Sequence, residues 1–160
     1  RLLAPADFEA RILPYLQSAG VLPASPSAEQ LELLNKLAPL VQERITVLSE
    51  AAGMLGFMFV ADDQLHCEAD ALEQLPENSK LIIETAVSAL RGLSDFTTDA
   101  IQAKLSEALV EGLGEKPRNA FGPIRTAFSG RRVTPPLFEC MEFLGKERSI
   151  SRLEAFASAH

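Results

Sequence analysis

Eight Lys/Arg side chains fall between Lys116 and Arg152: Lys116, Arg118, Arg125, Arg131, Arg132, Lys146, Arg148 and Arg152. Only three acidic ones, Glu139, Glu142 and Glu147, share the stretch. The whole chain carries −7, so this segment at +5 leaves −12 on the remaining residues. Such a charge asymmetry predicts a face that meets a polyanion. Arg118 and Arg125 stand two helical turns apart, which puts both on one helix face. Ser129-Gly130 ends their helix, and Arg131-Arg132 lead into Thr134-Pro135-Pro136-Leu137-Phe138. Thr134 suits an N-cap, with Pro135 at the first helical position. Neither proline has an N–H, so the first free donors at this helix start belong to Leu137 and Phe138. A helix N-terminus carries partial positive charge, and two arginines precede this one, so the joint suits a phosphate or a base-edge acceptor. Composition alone leaves RNA, an acidic protein patch and plain solvation open, since few aromatics are placed to stack on unpaired bases.

Other chemistries find less footing. With two histidines, one of them the terminal His160, no Ser–His–Asp or Cys–His arrangement assembles. Carboxylate pairs abound in an acidic chain, but no spacing singles one out, and no Gly-rich loop cradles a phosphate. No catalytic residue is therefore assigned. Asp62, Asp63, His66, Glu68 and Asp70 lack the alternating ligands and fixed Gly of a calcium loop, and read as a solvated acidic linker. Cys67 and Cys140 lie far apart without a CxxC spacing, which predicts no metal site and a reducing, cytoplasmic compartment. No run approaches the about 18 apolar residues of a membrane span, and Ala51 to Ala61 reads as buried helix. There is no initiator Met and no basic-then-apolar leader, so Arg1 reads as a cut inside a longer protein.

The elements that must position the basic stretch all show helical periodicity, so the expected fold is all-α. Phe8, Ile12 and Leu16 form the stripe of a first helix capped by Asp7 and stopped at Gly20, with Pro14 as a kink point. Ser27 and Gln30 make a capping-box pattern. It opens a second helix with a stripe at Leu31, Leu34, Leu37, Val41, Ile45 and Leu48, which Pro39 is expected to split. Arg44 sits on that element, and by itself reads as a surface arginine paired to Glu43 or near Glu50. Gly53 to Val60 is apolar on all sides and reads as core. Helical spacing resumes from Leu72 to Leu90 with an interruption near Pro76 and Asn78. Thr97 or Thr98 caps a further helix along Ile101, Leu105, Ala108 and Leu109. In the basic stretch Pro117 opens a helix whose buried face is Ala120, Ile124, Ala127 and Phe128. The Leu137 helix closes at Gly145, and a last short helix carries Arg148 and Arg152 on one side.

The run KPRNAFGPIRTAFSGRRVTPPLFECMEFLGKERSISRL resembles the C-terminal end of bacterial glutamyl-tRNA synthetases. A Lys/Arg-containing start, a P-[LI]-R-x-A-[LF]-[ST]-G helix end, a P-x-L-F-E helix start and an LGKE…RL finish recur there in this order. PLVQERITVLSEA and the PYL…AG opening are similar to the same family, so the resemblance covers essentially the whole chain. It implies an all-helical anticodon-binding cage of two consecutive subdomains, 1–70 and 71–160, whose partner is the anticodon stem-loop of tRNA(Glu). It further implies a monomer, no membrane, and a possible protein partner in tRNA-dependent amidation. No HIGH-like or KMSKS-like motif occurs, so ATP and Mg belong to the parent's catalytic half and no cofactor to this segment. Carried over residue by residue, Arg44 corresponds to the arginine that reads the third anticodon base and helps reject tRNA(Gln). Arg125 is the arginine of the P-I-R-T-A-F-S-G run, and Thr134 and Leu137 correspond to residues that contact the first two bases. Pro136 stands where some relatives have Gly, which bears on how closely the backbone approaches a base. Lys116, Arg118, Arg131, Arg132, Lys146 and Arg148 then position phosphates. Arg44 and Arg125 are about eighty residues apart, so the implied surface draws on both subdomains. The competing class is a helical protein-interaction module without RNA binding, which the net charge of −7 favours.

Overall fold

A computed structural model of the chain describes residues 4–160, and Arg1 lies outside the described residues. Among these residues every regular element is helical and no strand forms. The chain divides into two compact units, Arg1–Ala61 and Asp62–His160. The division thus falls before the acidic stretch and not at 70/71, because that stretch is bonded to the second unit by its side chains and backbone, as described below.

In the first unit, α1 (Pro5–Ser18) packs on α2 (Ala28–Gln42) and α3 (Ala51–Phe59). Phe8, Ile12 and Leu16 face Leu34, Leu37, Val41 and the apolar α3 residues Met54, Leu55 and Met58 in a shared core. Burial of each such side chain contributes about 1.5–3 kcal/mol. The Ser27–Gln30 capping box forms in both directions, at 2.9 and 3.1 Å. Three expectations change here. The α1 helix opens at Pro5 with Asp7 already inside its first turn, so Asp7 complements the helix dipole without capping. Pro39 does not split α2: the helix runs three residues past it, because a proline removes one ladder bond while the Leu34, Leu37 and Val41 stripe stays buried on both sides of it. Arg44 lies beyond the helix, in the turn that follows Gln42, before a 3-10 turn over Leu48–Glu50.

In the second unit, α4 (Ala69–Glu73) and α5 (Ser79–Arg91) are separated by the break expected near Pro76 and Asn78. Thr97, the N-cap of α6 (Thr98–Leu105), accepts the Ala100 N–H at 3.3 Å. The chain then widens into a π-helical segment, Ser106–Gly112, which keeps Leu109 buried in register with Ile101 and Leu105. Next come α7 (Pro117–Ser129), α8 (Leu137–Leu144) and α9 (Lys146–Ala159). α5 packs against α6, α7 and α9, and α8 against α6 and α9. The α7 stripe Ala120, Ile124, Ala127 and Phe128 is fully buried, as its spacing requires.

Two further corrections concern the basic stretch and its neighbours. Thr134 is not an N-cap. Helix α8 begins only at Leu137, with Pro136 as its N-cap residue. A residue that precedes a proline is pushed out of the α region, so Pro135 cannot be the first helical residue ahead of Pro136, and the start moves two positions on. The acidic stretch 62–70 is not simply solvated either: Asp62, Glu68 and Asp70 each face an arginine of the basic stretch.

Candidate nucleic-acid interface

The joint between α7 and α8 is built by local hydrogen bonds. The Ser129 hydroxyl donates to the Arg125 carbonyl at 2.6 Å and accepts the Arg131 N–H at 3.0 Å, which folds the chain back at the helix end. Gly130 completes the turn in the left-handed region, φ 77°, and its N–H bonds the Thr126 carbonyl. No other residue type fits: a Cβ there would overlap the His66 carbonyl oxygen and lie 2.9 Å from its carbon. That close approach lets the Glu68 N–H reach the Gly130 carbonyl at 2.8 Å.

Thr134 and Arg125 meet across the joint. The half-buried Arg125 donates from Nε to Thr134 Oγ1 at 3.2 Å, and that hydroxyl donates onward to the Pro135 carbonyl at 2.7 Å. Burial lowers the Arg125 pKa, against a smaller opposing influence from Cys140, yet a guanidinium stays charged at any working pH. Leu137 has its side chain in the core, 3% exposed, so only its backbone can face a ligand. The first ladder bond of α8 runs from the Cys140 N–H to the Pro136 carbonyl. The N–H groups of Leu137, Phe138 and Glu139 therefore precede the ladder, as the sequence indicated for the first two.

Arg118, Arg125 and Arg132 converge on one pocket of about 430 Å³, shared with Phe121, Asn119 and Gln74. Most of its lining comes from α7, and Ala71, Gln74, Leu75 and Pro76 supply much of the rest. Phe121 is held by an edge-to-face contact with Phe138, ring centres 5.3 Å apart. Pro123 lies within α7 and has no N–H, so the Asn119 carbonyl on the pocket wall lacks its usual ladder donor. The pocket thus brings guanidinium groups and an aromatic ring together. Phe121 was legible in principle, since it lies three residues after Arg118 and four before Arg125 on the same face. Gln74 gave no such signal.

The remaining assigned residues separate into groups. Lys116 and Arg118 are exposed, and among the described residues no hydrogen bond or ion pair engages their side chains. Arg131 Nε stands 3.5 Å from Glu68 Oε2, and Arg132 Nη1 stands 3.8 Å from Asp70 Oδ2. Lys146 Nζ donates to the carbonyls of Arg91 and Leu93 at 3.1 and 2.7 Å, closing the C-terminus of α5. Arg148 bonds Asp62 from both Nε and Nη2, at 3.2 and 3.0 Å to Oδ1. The first-unit residue Arg44 is exposed and donates from Nη1 to the Leu40 carbonyl at 2.8 Å, a contact at the C-terminal end of the preceding helix α2; Glu50 instead accepts the Thr46 N–H.

Arg152, placed by the sequence on the last helix beside Arg148 but given no role, is the most buried cation of the stretch at 2% exposure. Its Nε bonds Asp62 Oδ1 at 2.8 Å, its Nη1 bonds the Phe128 carbonyl at 3.1 Å, and its guanidinium lies 5.7 Å from the Phe128 ring centre. Burial lowers its pKa and the Asp62 bond opposes that. For Asp62, burial raises the pKa, but the hydrogen bonds and charges of Arg148 and Arg152 together outweigh it, and the net direction is downward.

A helical unit presenting a basic pocket beside a helix start fits a single-stranded or looped nucleic acid better than an enzyme site. The model of the anticodon binding domain family matches residues 7–157, so the chain belongs to that family. It is 56% identical over 153 residues to a glutamate–tRNA ligase of Kineococcus radiotolerans, covering 96% of this chain and 30% of that protein. A glutamate–tRNA ligase of Saccharopolyspora erythraea is 54% identical over 155 residues, covering 97% and 31%. The chain therefore spans about three tenths of the length of these relatives. Among solved structures, a glutamate tRNA ligase from Elizabethkingia meningosepticum, in complex with its amino acid, superposes with a TM-score of 0.77 at 20% identity. One from Elizabethkingia anophelis gives 0.74 at 21%, and each match covers 98% of this chain and 29% of the other. At that identity these structures establish the fold. No helix among the described residues is long and apolar enough to cross a membrane.

Proposed function

We propose that this chain is the anticodon-binding part of a glutamate–tRNA ligase and holds the anticodon stem-loop of tRNA(Glu). The observation that carries the reading is the convergence of Arg118, Arg125 and Arg132 with Phe121 on one pocket beside the α7–α8 joint. Splayed bases are recognised by such mixtures of guanidinium donors, aromatic faces and backbone groups. Arg125, fixed by Thr134, and the N–H groups at Leu137 contact base edges. Lys116 and Arg118, together with Arg131 and Arg132, hold the backbone phosphates. Lys146 and Arg148 are already bonded within the protein and contribute to phosphates only through the field they add. Arg44, exposed beyond α2, reads the third base with the donors left over from its bond to Leu40. The parent ligates glutamate in the cytoplasm with ATP and Mg bound in its catalytic half, as a monomer, and a protein partner of tRNA-dependent amidation is compatible with the acidic remainder.

The test is fluorescence anisotropy of the chain with a hairpin carrying the tRNA(Glu) anticodon loop, titrated from about 50 to about 200 mM salt. Binding that weakens steeply with salt is expected. The absence of any salt-sensitive binding would overturn the reading in favour of a protein-interaction module.

A further inference from the structure

Residues 62–70 run alongside the basic stretch as an acidic strap. Its four carboxylates bring the +5 of residues 116–152 to +1. The strap is anchored at the joint by the Glu68 N–H to the Gly130 carbonyl, and at α9 by Asp62. Three of its four carboxylates meet arginines of the basic stretch, in two different ways. Asp62 holds the fully buried Arg152 and its neighbour Arg148 in short bonds of 2.8 and 3.0 Å. Glu68 and Asp70 face Arg131 and Arg132 at 3.5 and 3.8 Å, in pairs whose four side chains are 26–60% exposed. Long, solvated pairs of this kind add little to stability, so the fold does not require them.

Their position matters more than their strength. Arg132 lines the same pocket as Arg118 and Arg125, and Ala71, next to Asp70, lines it too. A strand that enters the pocket and runs on past the joint brings phosphate oxygens to Arg132 and to its neighbour Arg131, which already face carboxylates. Exchange of carboxylate for phosphate keeps each arginine paired but leaves two negative groups facing one another. We propose that Glu68 and Asp70 are affinity-limiting residues that occupy Arg131 and Arg132 and so weaken the grip of the joint on an RNA backbone. The inference rests on the reading that this chain binds RNA. The effect falls on phosphates, so it lowers affinity for every sequence by the same factor and leaves base discrimination to the pocket.

The test compares the chain with its Glu68→Gln/Asp70→Asn variant, which keeps the shape and one acceptor oxygen of each side chain but removes both charges. The probes are the tRNA(Glu) anticodon hairpin and a hairpin with a scrambled loop, each titrated with salt. The variant is expected to bind both about tenfold more tightly at the low-salt end, with the advantage fading at the high end. The salt slope should steepen by about 0.7 for each freed arginine, and the ratio between hairpins should stay constant. A Glu107→Gln/Glu111→Gln control, with the same charge change at exposed sites on the π-helical segment, is expected to change affinity less than twofold. Equal tightening in the control would overturn the inference, since net charge alone would then account for it. Unchanged or weaker binding by a variant with a retained thermal midpoint would overturn it too. If neither protein binds either hairpin, the functional reading fails with it, whereas binding by the wild-type chain with no gain in the variant overturns the inference alone.

Discussion

Arg152 Nε lies 2.8 Å from Asp62 Oδ1 across 90 positions of sequence, and the same guanidinium bonds the Phe128 carbonyl in the last turn of α7. One buried cation therefore joins the start of the acidic strap, the end of the α7 helix and the α9 helix that carries it. The Arg125–Thr134 contact and the Gly130 turn lie directly beyond that carbonyl. The last helical turn before the joint is thus held from behind.

Asp62→Asn should destabilise the second unit by roughly 3 kcal/mol, because it leaves the Arg152 charge buried without a counter-ion. The folded pKa of Asp62 is depressed below its ordinary value of 3.8. Its contribution is thus fully present above that value and is lost as pH falls through the lower folded pKa. Urea unfolding followed from pH 6 down to about pH 2 should show the wild-type chain losing its advantage over Asp62→Asn in the acid range alone. A gap between the two proteins that does not change with pH would contradict this account of the pair.

Gly130→Ala should cost roughly 3 kcal/mol or more, from the left-handed backbone together with the overlap at the His66 carbonyl. Gly114, also left-handed with φ 74° but with open space around it, should tolerate alanine at about 1 kcal/mol. Chemical unfolding of the two variants side by side gives the comparison, and equal losses would mean that the strap does not press on the joint.

Arg44→Gln should leave overall affinity for the tRNA(Glu) hairpin within a few-fold and reduce discrimination at the third anticodon base. The change removes a charged donor and keeps a shorter polar one. Anisotropy with hairpins varied at that base alone checks it. Equal losses for matched and mismatched hairpins would reduce Arg44 to its bond with Leu40, a helix-terminal role that the geometry already supports.

The helices of the basic stretch could be read from the chain because each boundary has a local cause: Pro117 at the first turn of α7, Gly130 in the left-handed region, Gly145 with φ 101° between α8 and α9. Thr134 was misplaced because the tandem proline overrode an otherwise good capping residue, and that conflict was visible in the sequence. Arg152 also left a trace, since Ser149, Arg152, Leu153 and Phe156 form one helical stripe and all are buried. The partners of the arginines left none. Asp62, Glu68 and Asp70 find Arg148, Arg131 and Arg132 only through packing of segments some sixty to ninety residues apart, which no local spacing encodes. The +5 of residues 116–152 is for this reason partly offset in the folded chain, by three carboxylates.

The central claim is that the α7–α8 joint reads bases, and Arg125 tests it most directly. Binding of the native tRNA(Glu) hairpin and of hairpins with the first or second anticodon base replaced should be measured for the wild-type chain and for Arg125→Ala. The wild-type chain is expected to prefer the native loop, and Arg125→Ala to lose about 1–3 kcal/mol on the native hairpin and much less on at least one replaced loop, so that the preference collapses. Equal weakening on all hairpins, with the preference intact, would contradict the account and make Arg125 one more phosphate contact.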